Sequence, residues 1–306
     1  MSHLIKSMLA VLLLIGLVAC ISNPTMPTAT PVPSATPTPL PVAIPTFDEL
    51  RTLMVGDIQR TYFLHIPDGL NDQQSVPLVF VFHGFLDSGQ IVRFATGLDK
   101  IANANGFIVV YPDGSGGEGN LSWNAGVCCV SAVLNDVDEP AFVRSILADV
   151  ETIVSVDSKR IYAAGFSNGA MLSYRLACEM SDMFAAIAPV SGVLTYTPCQ
   201  PKQKVSVLHV HGALDTFVRL EGEGGINNEF PSVKESLATW VKLNNCSGEE
   251  KVEHNGILTH STYSACTPGV SVELYLIDGY GHGWLNTPNA PISQIVWDFF
   301  ASHPKP

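Results

Sequence analysis

The fold is decided by the stretch Arg160–Leu172, whose residues are RIYAAGFSNGAML. Its first half is apolar, β-branched and aromatic, which is typical of a buried β-strand. The pattern Gly-x-Ser-x-Gly follows at Gly165–Gly169, and helix-forming residues come directly after it. The stretch therefore predicts a strand, a very tight turn and a helix, an arrangement known as a nucleophile elbow.

The serine of this turn, Ser167, is the candidate nucleophile. A serine pinched between a strand and a helix has strained backbone torsions, and side chains at positions 165 and 169 would crowd the neighbouring elements. Its hydroxyl would lie at the positive end of the helix, where developing negative charge is stabilised. The alternative is an ordinary surface turn flanked by glycines. A catalytic serine would be accompanied by an acid and a histidine that follow it in suitable places.

An acid and a histidine do follow, in the order Ser167, Asp215, His282. The apolar stretch Val205–Asp215 predicts a buried strand that ends in a turn with a carboxylate. Val270–Ile277 predicts a last strand, and the glycine-rich loop after it contains His282. This order is that of α/β-hydrolases, in which the histidine is the base and the acid orients it. Because each of the three residues follows a predicted strand, we expect them at one edge of a parallel sheet.

A histidine-glycine pair follows Val76–Phe82, a stretch that predicts a strand buried on both faces. In this kind of fold the turn after such a strand supplies half of an oxyanion hole. The backbone amides of Phe85 and Asn168 are the candidate donors, because acyl transfer needs fixed N–H groups aimed at the new oxyanion. His83 itself is interpreted as a structural residue that braces the loop.

Other stretches complete an alternation of strands and helices. Further strands are predicted at 60–67, 106–113 and 184–192, and helices at 98–105, 141–154 and 232–243. The alternation predicts an α/β fold, with a mostly parallel central sheet and helices on both faces. The long loop 114–133 contains Trp123, interpreted either as a wall of the substrate cleft or as a plug beneath the loop. His209 and His211 share one strand face, so a metal site is an alternative for them, although no further ligand cluster is visible nearby.

The chain begins with a predicted targeting segment, residues 1–19. Lys6 precedes the apolar stretch Met8–Val18, which is too short to span a bilayer comfortably and indicates a secretory signal. The residues Leu17–Cys20 resemble the lipobox of bacterial lipoproteins, which predicts that Cys20 carries lipid. A plain signal peptide with an incidental cysteine is the alternative. We therefore expect an extracytoplasmic protein, lipid-anchored to a bacterial membrane or secreted.

Residues 20–46 are predicted to form a linker rich in proline and threonine. Such a composition cannot bury enough apolar surface to offset its ordering entropy, so we expect a semi-extended spacer. Residues 47–306 then form one predicted catalytic domain of ordinary size for an α/β fold. The formal net charge is -12 and the basic residues are scattered. Because no basic stripe is present to replace counterions, nucleic acid is not expected as a partner.

Cysteine usage agrees with export to an oxidising compartment. The chain has seven cysteines, and assigning Cys20 to lipid leaves an even number for disulfides. The remaining ones are Cys128, Cys129, Cys178, Cys199, Cys246 and Cys266. The last two bracket an irregular region and are the first expected pair. The two adjacent cysteines are too strained to pair readily with each other, so each is expected to reach one of the next two. A thiol-based metal site is the alternative, but the paired spacing typical of one is missing.

These motifs together resemble a family of secreted esterases that joins polyhydroxybutyrate depolymerases, feruloyl and acetylxylan esterases, and LpqC-type lipoproteins. The residues that carry the resemblance are His83–Gly84, Ser122–Gly126, Cys128–Cys129, Gly165–Met171, Ala185–Gly192, His211–Asp215 and Gly281–Trp284. The resemblance covers nearly the whole chain after the linker. It implies an α/β-hydrolase fold and carboxylic ester hydrolysis, with Ser167, Asp215 and His282 in the triad positions. The chain departs from the family pattern at Phe85, where many depolymerases have cysteine, and at Leu285-Asn286, where Pro-Gly is usual.

The sequence thus predicts a secreted serine ester hydrolase that works through an acyl-enzyme, acting on feruloyl or acetyl esters of plant polysaccharide. A polyester depolymerase is the first alternative. A serine peptidase of the prolyl oligopeptidase kind and a non-catalytic binder on a hydrolase scaffold are less favoured. Trp123 and Trp284 are the candidate substrate contacts. We expect no cofactor and no metal, an ester substrate as the partner, and a monomer.

Overall fold

A ten-stranded sheet runs through the computed structural model, which describes residues 40–117, 119–129, 131–223 and 230–305. The predicted signal peptide at 1–19, the lipidated Cys20 and the linker up to residue 39 lie outside the described residues. Within the described part of the chain, no helix combines the length and the apolar character needed to cross a bilayer.

The helices and strands alternate along most of the chain. The strands are β1 Phe47–Val55, β2 Ile58–Ile66, β3 Val76–Phe82, β4 Ile108–Pro112, β5 Val156–Phe166, β6 Ala186–Val190, β7 Ser206–Gly212, β8 Glu250–Asn255, β9 Leu258–Tyr263, β10 Val272–Ile277, β11 Asn286–Thr287 and β12 Ala290–Pro291. The helices are α1 Gly89–Thr96, α2 Leu98–Asn105, α3 Ser131–Leu134, α4 Glu139–Glu151, α5 Asn168–Glu179, α6 Val233–Leu243 and α7 Ile292–Ser302.

The strand order in the large sheet is β1-β2-β4-β3-β5-β6-β7-β10-β9-β8. The six central strands from β4 to β10 are parallel, whereas β1 and β2 at one edge and β9 and β8 at the other run antiparallel to their neighbours. The α/β-hydrolase fold predicted from the sequence is confirmed. Because the central strands are parallel, the loops after β3, β5, β7 and β10 all leave the sheet at the same edge.

Helices cover both faces of the sheet, so its central strands are buried on both sides. In β3, Phe80 and Phe82 face one apolar cluster, and Val79 and Val81 face the other. Helices α4, α5 and α6 contribute to the first cluster, and α1, α2 and α7 contribute to the second. This double burial explains why the central strands are continuous apolar runs rather than alternating ones.

The predicted elements match the structure closely in the centre of the sheet and less well at its edges. The predicted strand at 76–82 and the predicted helix at 98–105 have the observed bounds. Residues 42–44, which belong to the predicted linker, contact the folded part of the chain: Val42 and Asp72 bond to each other, and the buried Ile44 donates its amide to the Leu70 carbonyl. These residues belong to the compact unit that begins at Pro41.

Two disulfides join segments that are distant in sequence. Cys246 and Cys266 are bonded to each other, which is the pair expected first. Cys178 on α5 is bonded to Cys199, with the two Cα atoms 5.0 Å apart. This second bond ties the nucleophile helix to the loop after β6, and it uses both cysteines that were expected to pair with positions 128 and 129.

The adjacent Cys128 and Cys129 form the third disulfide with each other, and the peptide bond between them is cis. Their Cα atoms are 3.2 Å apart. The prediction that each would reach Cys178 or Cys199 is therefore wrong, because those two cysteines are bonded to each other. The vicinal disulfide lies instead beside the candidate nucleophile, where it lines a cavity.

Candidate active site

The turn between β5 and α5 holds Ser167 at φ 54° and ψ -115°, a conformation rarely adopted by residues other than glycine. The flanking glycines are required by close backbone contacts. A Cβ atom on Gly165 would lie 2.2 Å from the Gly169 carbonyl oxygen, and one on Gly169 would lie 2.2 Å from the Phe82 carbonyl oxygen. The Gly-x-Ser-x-Gly pattern thus lets α5 pack directly against the ends of β3 and β5, which fixes the position of Ser167.

The three residues predicted as nucleophile, base and acid are brought together at the expected edge of the sheet. His282 Nε2 lies 2.9 Å from Ser167 Oγ, and His282 Nδ1 lies 2.7 Å from Asp215 Oδ2. A carboxylate only accepts hydrogen bonds, so Nδ1 carries the proton and Nε2 is left to accept the serine proton. This tautomer is the one that general-base activation of a serine needs.

Asp215 is buried and held by its own loop. Its Oδ1 accepts hydrogen bonds from the amides of Phe217 and Val218, each 2.9 Å away. Burial by itself raises the pKa of Asp215, but the hydrogen bonds from His282 and from the Val218 amide outweigh it and hold the pKa below the usual value. The side chain is therefore a carboxylate at neutral pH, able to orient and stabilise the imidazolium of His282.

The loop that carries His282 is anchored to the ends of two other strands. Ser191, directly after β6, donates its hydroxyl proton to the Gly283 carbonyl at 3.2 Å. Gly212, the last residue of β7, lies so close to this loop that a Cβ atom there would be 2.2 Å from the Gly281 carbonyl oxygen. Sequence reasoning did not identify Ser191, because a serine after a strand carries no distinctive signal. Its hydrogen bond nonetheless fixes the residue next to the base.

The amides proposed for the oxyanion hole are those of Phe85 and Asn168. Among the described residues, neither amide donates a hydrogen bond, whereas the amides of Leu86 and Asp87 are bonded to carbonyls within the molecule. Asn168 is the first residue of α5, where a helix leaves its N–H groups without internal partners. The Phe85 loop is next to Ser167, because a Cβ atom on Gly84 would lie 3.6 Å from the Ser167 Cβ. Both N–H groups thus remain free to bind an oxyanion.

Trp123 does not form a wall of the substrate cleft. Its side chain is 0% exposed, and its indole N–H donates to the His83 carbonyl at 2.9 Å. The Asn168 side-chain oxygen accepts from the Trp123 amide at 2.7 Å. The prediction of a substrate contact at Trp123 is wrong, because the indole fills the space beneath the loop and braces both halves of the candidate oxyanion hole.

Trp284, the second predicted substrate contact, also points elsewhere. Its indole N–H donates to Ser293 Oγ at 2.9 Å, and the ring packs on the apolar cluster that α7 covers. It is not among the residues that line the cavity beside Ser167. Trp284 is only two residues from His282 in sequence. Its side chain nevertheless packs towards α7 rather than towards Ser167.

A cavity of about 640 Å³ opens above Ser167. Its lining residues are Gly84, Phe85, Asp87, Cys128, Cys129, Phe166, Ser167, Met171, Thr216, Phe217, Val218, Arg219, Glu223, Phe230 and His282. Aromatic rings at or after the ends of β3, β5 and β7 line it together with polar and charged side chains, among them Asp87, Thr216, Arg219 and Glu223. A cleft of this volume that is lined by aromatic rings and a few polar groups is typical of a small-molecule site.

His209 and His211 do not form a metal site. His209 Nδ1 contacts the Tyr174 hydroxyl, His209 Nε2 contacts His211 Nδ1, and His211 Nε2 contacts the Val218 carbonyl. Every ring nitrogen of the pair is therefore occupied by a protein partner. Elsewhere in the described chain, one group of acidic and histidine side chains is close enough to hold a cation: Asp48, His65 and Asp99. The Arg93 guanidinium already pairs with both of those carboxylates.

Burial lowers the pKa of three histidines, His83, His209 and His211. Burial lowers the pKa of His83 to about 4, against the opposing effect of its hydrogen bond with the Gly84 carbonyl. Burial, helped by the neighbouring His211, lowers the pKa of His209 well below the ordinary value, and burial also lowers the pKa of His211. These rings are neutral in the native protein at neutral pH, which agrees with the structural role predicted for His83.

We therefore expect the protein to lose stability as the pH falls from 7 to 5. The unfolded chain takes up protons at His83 and His209 below about pH 6.5, whereas the native chain does not until the pH reaches the lowered pKa values. Their contribution is present above pH 6.5 and is lost as the pH falls below that value. For His83, whose pKa is lowered to about 4, the loss amounts to about 2 kcal/mol by about pH 5. Thermal unfolding at the two pH values measures this effect. A melting temperature that does not change with pH would contradict the neutral assignment.

Comparison with known proteins identifies the chain's relatives. Residues 60–218 match the model of the family described as esterase PHB depolymerase. Feruloyl esterase B of Piromyces equi is 30% identical over 252 residues, which cover 78% of this chain and 44% of that protein. The bifunctional acetylxylan esterase/xylanase XynS20E of Neocallimastix patriciarum is 26% identical over 237 residues, which cover 77% of this chain and 32% of that protein. The chain thus spans less than half the length of these two relatives.

Solved structures show the same fold. The acetyl xylan esterase from Aspergillus awamori superposes with a TM-score of 0.62 at 16% identity, covering 83% of this chain and 99% of that one. At this identity the similarity concerns the α/β-hydrolase fold alone. The family match extends over more than half of the 306 residues, from β2 through the nucleophile elbow to the acid loop. The chain belongs to the esterase PHB depolymerase family.

Proposed function

We propose that this protein is a secreted serine carboxylic ester hydrolase that uses Ser167, His282 and Asp215 as its catalytic residues. One observation carries the proposal: a continuous line of hydrogen bonds joins the three side chains and ends at a hydroxyl that lines a cavity. The relatives are named as esterases, which supports the reaction class. The strained turn at Ser167 further supports a catalytic role, because such strain is retained mainly at functional sites.

The geometry supports acyl transfer in two steps. In the first, His282 Nε2 takes the Ser167 proton while Oγ attacks the ester carbonyl, and the Phe85 and Asn168 amides hold the resulting oxyanion. The tetrahedral intermediate collapses, the alcohol leaves with the proton from His282, and the acyl group stays on Oγ. In the second step, His282 takes a proton from water, the hydroxide adds to the acyl carbon, and collapse releases the acid and restores the serine hydroxyl.

The proposed substrate is a feruloyl or acetyl ester of plant polysaccharide. Two relatives are named as a feruloyl esterase and an acetylxylan esterase. The cavity beside Ser167 has room for an aromatic acyl group, and the rings of Phe166, Phe217 and Phe230 line it. Aromatic rings contribute favourable stacked or edge-to-face contacts beyond the area that they bury, which suits a planar aromatic acid.

A polyester depolymerase is the second candidate, and a surface feature favours it. Large apolar side chains in the loops at this edge of the sheet are exposed: Phe85 (46%) and Phe217 (73%), which line the cavity, and Leu86 (50%), Val127 (46%) and Leu214 (62%) beside them in sequence or in loops after other strands. They follow the carboxyl ends of the parallel strands or lie in the adjoining loops, so they gather at the edge that carries Ser167. An apolar rim of this kind would contact an extended apolar surface, such as a solid polyester.

The proposal can be tested by measuring hydrolysis rates on four substrates. These are methyl ferulate, acetylated xylan, a polyhydroxybutyrate film and the amide of ferulic acid as a match for the ester. We expect methyl ferulate or acetylated xylan to be hydrolysed at least about tenfold faster, per catalytic serine, than the film, because the cavity has the size of a single acyl group and aromatic rings line it. Faster hydrolysis of the film would favour the second candidate. Turnover of the amide equal to that of the ester would contradict the ester hydrolase and support a peptidase.

We also propose that residues 1–19 are removed as a signal peptide, that Cys20 carries lipid, and that residues 41–306 form the catalytic domain on a proline- and threonine-rich linker. The three disulfides fit an oxidising compartment outside the cytoplasm. Replacing Cys20 with serine should move the protein from the membrane fraction of a bacterial host into the soluble extracytoplasmic fraction. The same distribution for both forms would contradict the lipid anchor.

A further inference from the structure

A line of buried hydrogen bonds runs behind the catalytic acid, on the side away from His282. The Tyr174 hydroxyl lies 2.7 Å from His209 Nδ1, His209 Nε2 lies 3.0 Å from His211 Nδ1, and His211 Nε2 lies 2.8 Å from the Val218 carbonyl oxygen. All three side chains are 0% exposed. The line begins on α5, the helix that starts at the nucleophile, crosses β7, and ends on the loop that carries Asp215.

The direction of each hydrogen bond in this line is determined by its last acceptor. A carbonyl oxygen only accepts, so His211 Nε2 carries a proton and donates it to Val218. In a neutral ring, His211 Nδ1 must then accept, which makes His209 Nε2 the donor. His209 Nδ1 must accept in turn, so the Tyr174 hydroxyl donates to it. The Val218 carbonyl thus selects the tautomers of both histidines, and the Tyr174 hydroxyl, which can donate or accept, supports them by donating to His209 Nδ1.

The line ends where it can hold the acid in place. The Val218 amide donates to Asp215 Oδ1, and the Val218 carbonyl accepts a hydrogen bond from His211 Nε2. Both backbone polar groups of Val218 are therefore held in place. His211 Nε2 also lies 3.4 Å from Asp215 Oδ2, the oxygen that accepts from His282. If His211 adopted its other tautomer, a nitrogen lone pair would face both the carbonyl and the carboxylate, and the two contacts would become repulsive.

We propose that Tyr174, His209 and His211 are positioning residues, which set the orientation of Asp215 towards His282 through this hydrogen-bonded line. The inference rests on the proposed function of Ser167, Asp215 and His282. None of the three positioning residues touches the reacting atoms. Burial lowers the pKa of both histidines and, at His211, outweighs the opposing effect of the nearby Asp215 carboxylate, so both imidazole rings stay neutral. Through their hydrogen bonds the three side chains link α5, which begins next to Ser167, to the loop that carries Asp215.

Tyr174→Phe tests the proposal with the loss of a single oxygen atom. We expect kcat for a nitrophenyl ester to fall about 3- to 10-fold, the effect of losing one hydrogen bond, with KM changed less than about twofold. We also expect the midpoint of the acidic limb of kcat/KM to move to lower pH, because a poorly oriented carboxylate stabilises the His282 imidazolium less well. Packing alone would not move that limb.

Tyr162→Phe is the matched control. Tyr162 on β5 is also 0% exposed, but its hydroxyl has no hydrogen-bond partner among the described residues. Its removal should leave kcat and the pH profile unchanged. If the two phenylalanine variants have the same kcat and the same acidic limb, the proposal is overturned while the ester hydrolase assignment stands. If the parent protein hydrolyses no ester, the proposed function fails first and the inference falls with it.

His211→Gln and His211→Leu provide a second, independent comparison. Glutamine retains an N–H group close to the position of Nε2 and should recover most of the kcat that leucine loses, since it can still donate to the Val218 carbonyl. Equal losses in the two variants, in samples shown to be folded by thermal unfolding, would mean that ring packing alone matters and would overturn the proposal. Recovery by glutamine, together with the effect of Tyr174→Phe, would support it.

Discussion

Replacing Ser167 with alanine is expected to lower kcat for a short-chain nitrophenyl ester about a millionfold, to the level of residual non-covalent catalysis. The variant removes the atom that attacks the ester carbonyl, and no other hydroxyl among the described residues is bonded to His282. Alanine at this strained position keeps the same backbone, so the melting temperature should change little. Steady-state kinetics and thermal unfolding on the same preparation measure both effects.

Ser173→Ala is the matched control for that variant. Ser173 lies on the same helix, is buried, and donates its hydroxyl proton to the Gly169 carbonyl within the helix at 2.9 Å. It does not contact the base or the cavity, so activity should be retained. Ester hydrolysis by the Ser167 variant within about tenfold of the parent rate would show that another residue is the nucleophile, and the assignment of the site would be wrong.

Replacing Asp215 with asparagine is expected to reduce kcat about ten-thousandfold, with KM changed little. Asparagine is nearly the same size, and its side-chain oxygen can still accept the amides of Phe217 and Val218, so the loop should keep its shape. The loss comes from the missing charge, because a neutral amide neither stabilises the imidazolium nor selects the His282 tautomer that leaves Nε2 free to accept the serine proton.

Asp278→Asn controls for a change of one charge near the same loop. Asp278 follows β10 directly, is exposed, and precedes His282 by only a few residues. Its replacement should leave kcat within about twofold, because a solvated charge contributes little at such a site. Similar losses in the two asparagine variants would indicate a general electrostatic effect and would contradict the specific role of Asp215.

The centre of the fold and the three catalytic candidates could be predicted because parallel strands impose a common edge. Ser167, Asp215 and His282 each follow an apolar run, and parallel strands bring the residues after such runs together. Gly165 and Gly169 also mark the site in the sequence. Backbone oxygens lie so close to both residues that no side chain would fit there, which explains why the turn requires glycine. At this edge of the sheet, the residue pattern of each segment and the arrangement of the parallel strands therefore lead to the same prediction.

The edges of the fold were harder to predict, for physical reasons. Strand β8 is exposed along its whole length, so no alternation of apolar and polar residues marks it. Strand β1 has no fully buried residue, and its inward-facing positions are only half-buried, so its pattern is weak. Helix α7 does carry a signal that was overlooked: Ile292, Val296, Trp297 and Phe300 are buried at helical spacing.

The side-chain roles of Trp123 and the adjacent cysteines could not be obtained from the sequence. Whether an indole in a long loop faces solvent or the interior depends on the path of that loop. Here hydrogen bonds to the Asn168 side chain and the His83 carbonyl hold Trp123 in the interior. The pairing of Cys128 and Cys129 depended in the same way on where Cys178 lies on α5. Sequence order does not encode such distances.

Covalent labelling with a fluorophosphonate, followed by peptide mass spectrometry, tests the central claim most directly. A serine activated by a neutral histidine attacks this reagent, and the adduct mimics the tetrahedral intermediate. We predict one adduct per chain, located on Ser167, with loss of ester hydrolysis in proportion to labelling and greatly slowed labelling in the Asp215→Asn variant. An adduct on a different residue, or full labelling with ester hydrolysis retained, would contradict the account.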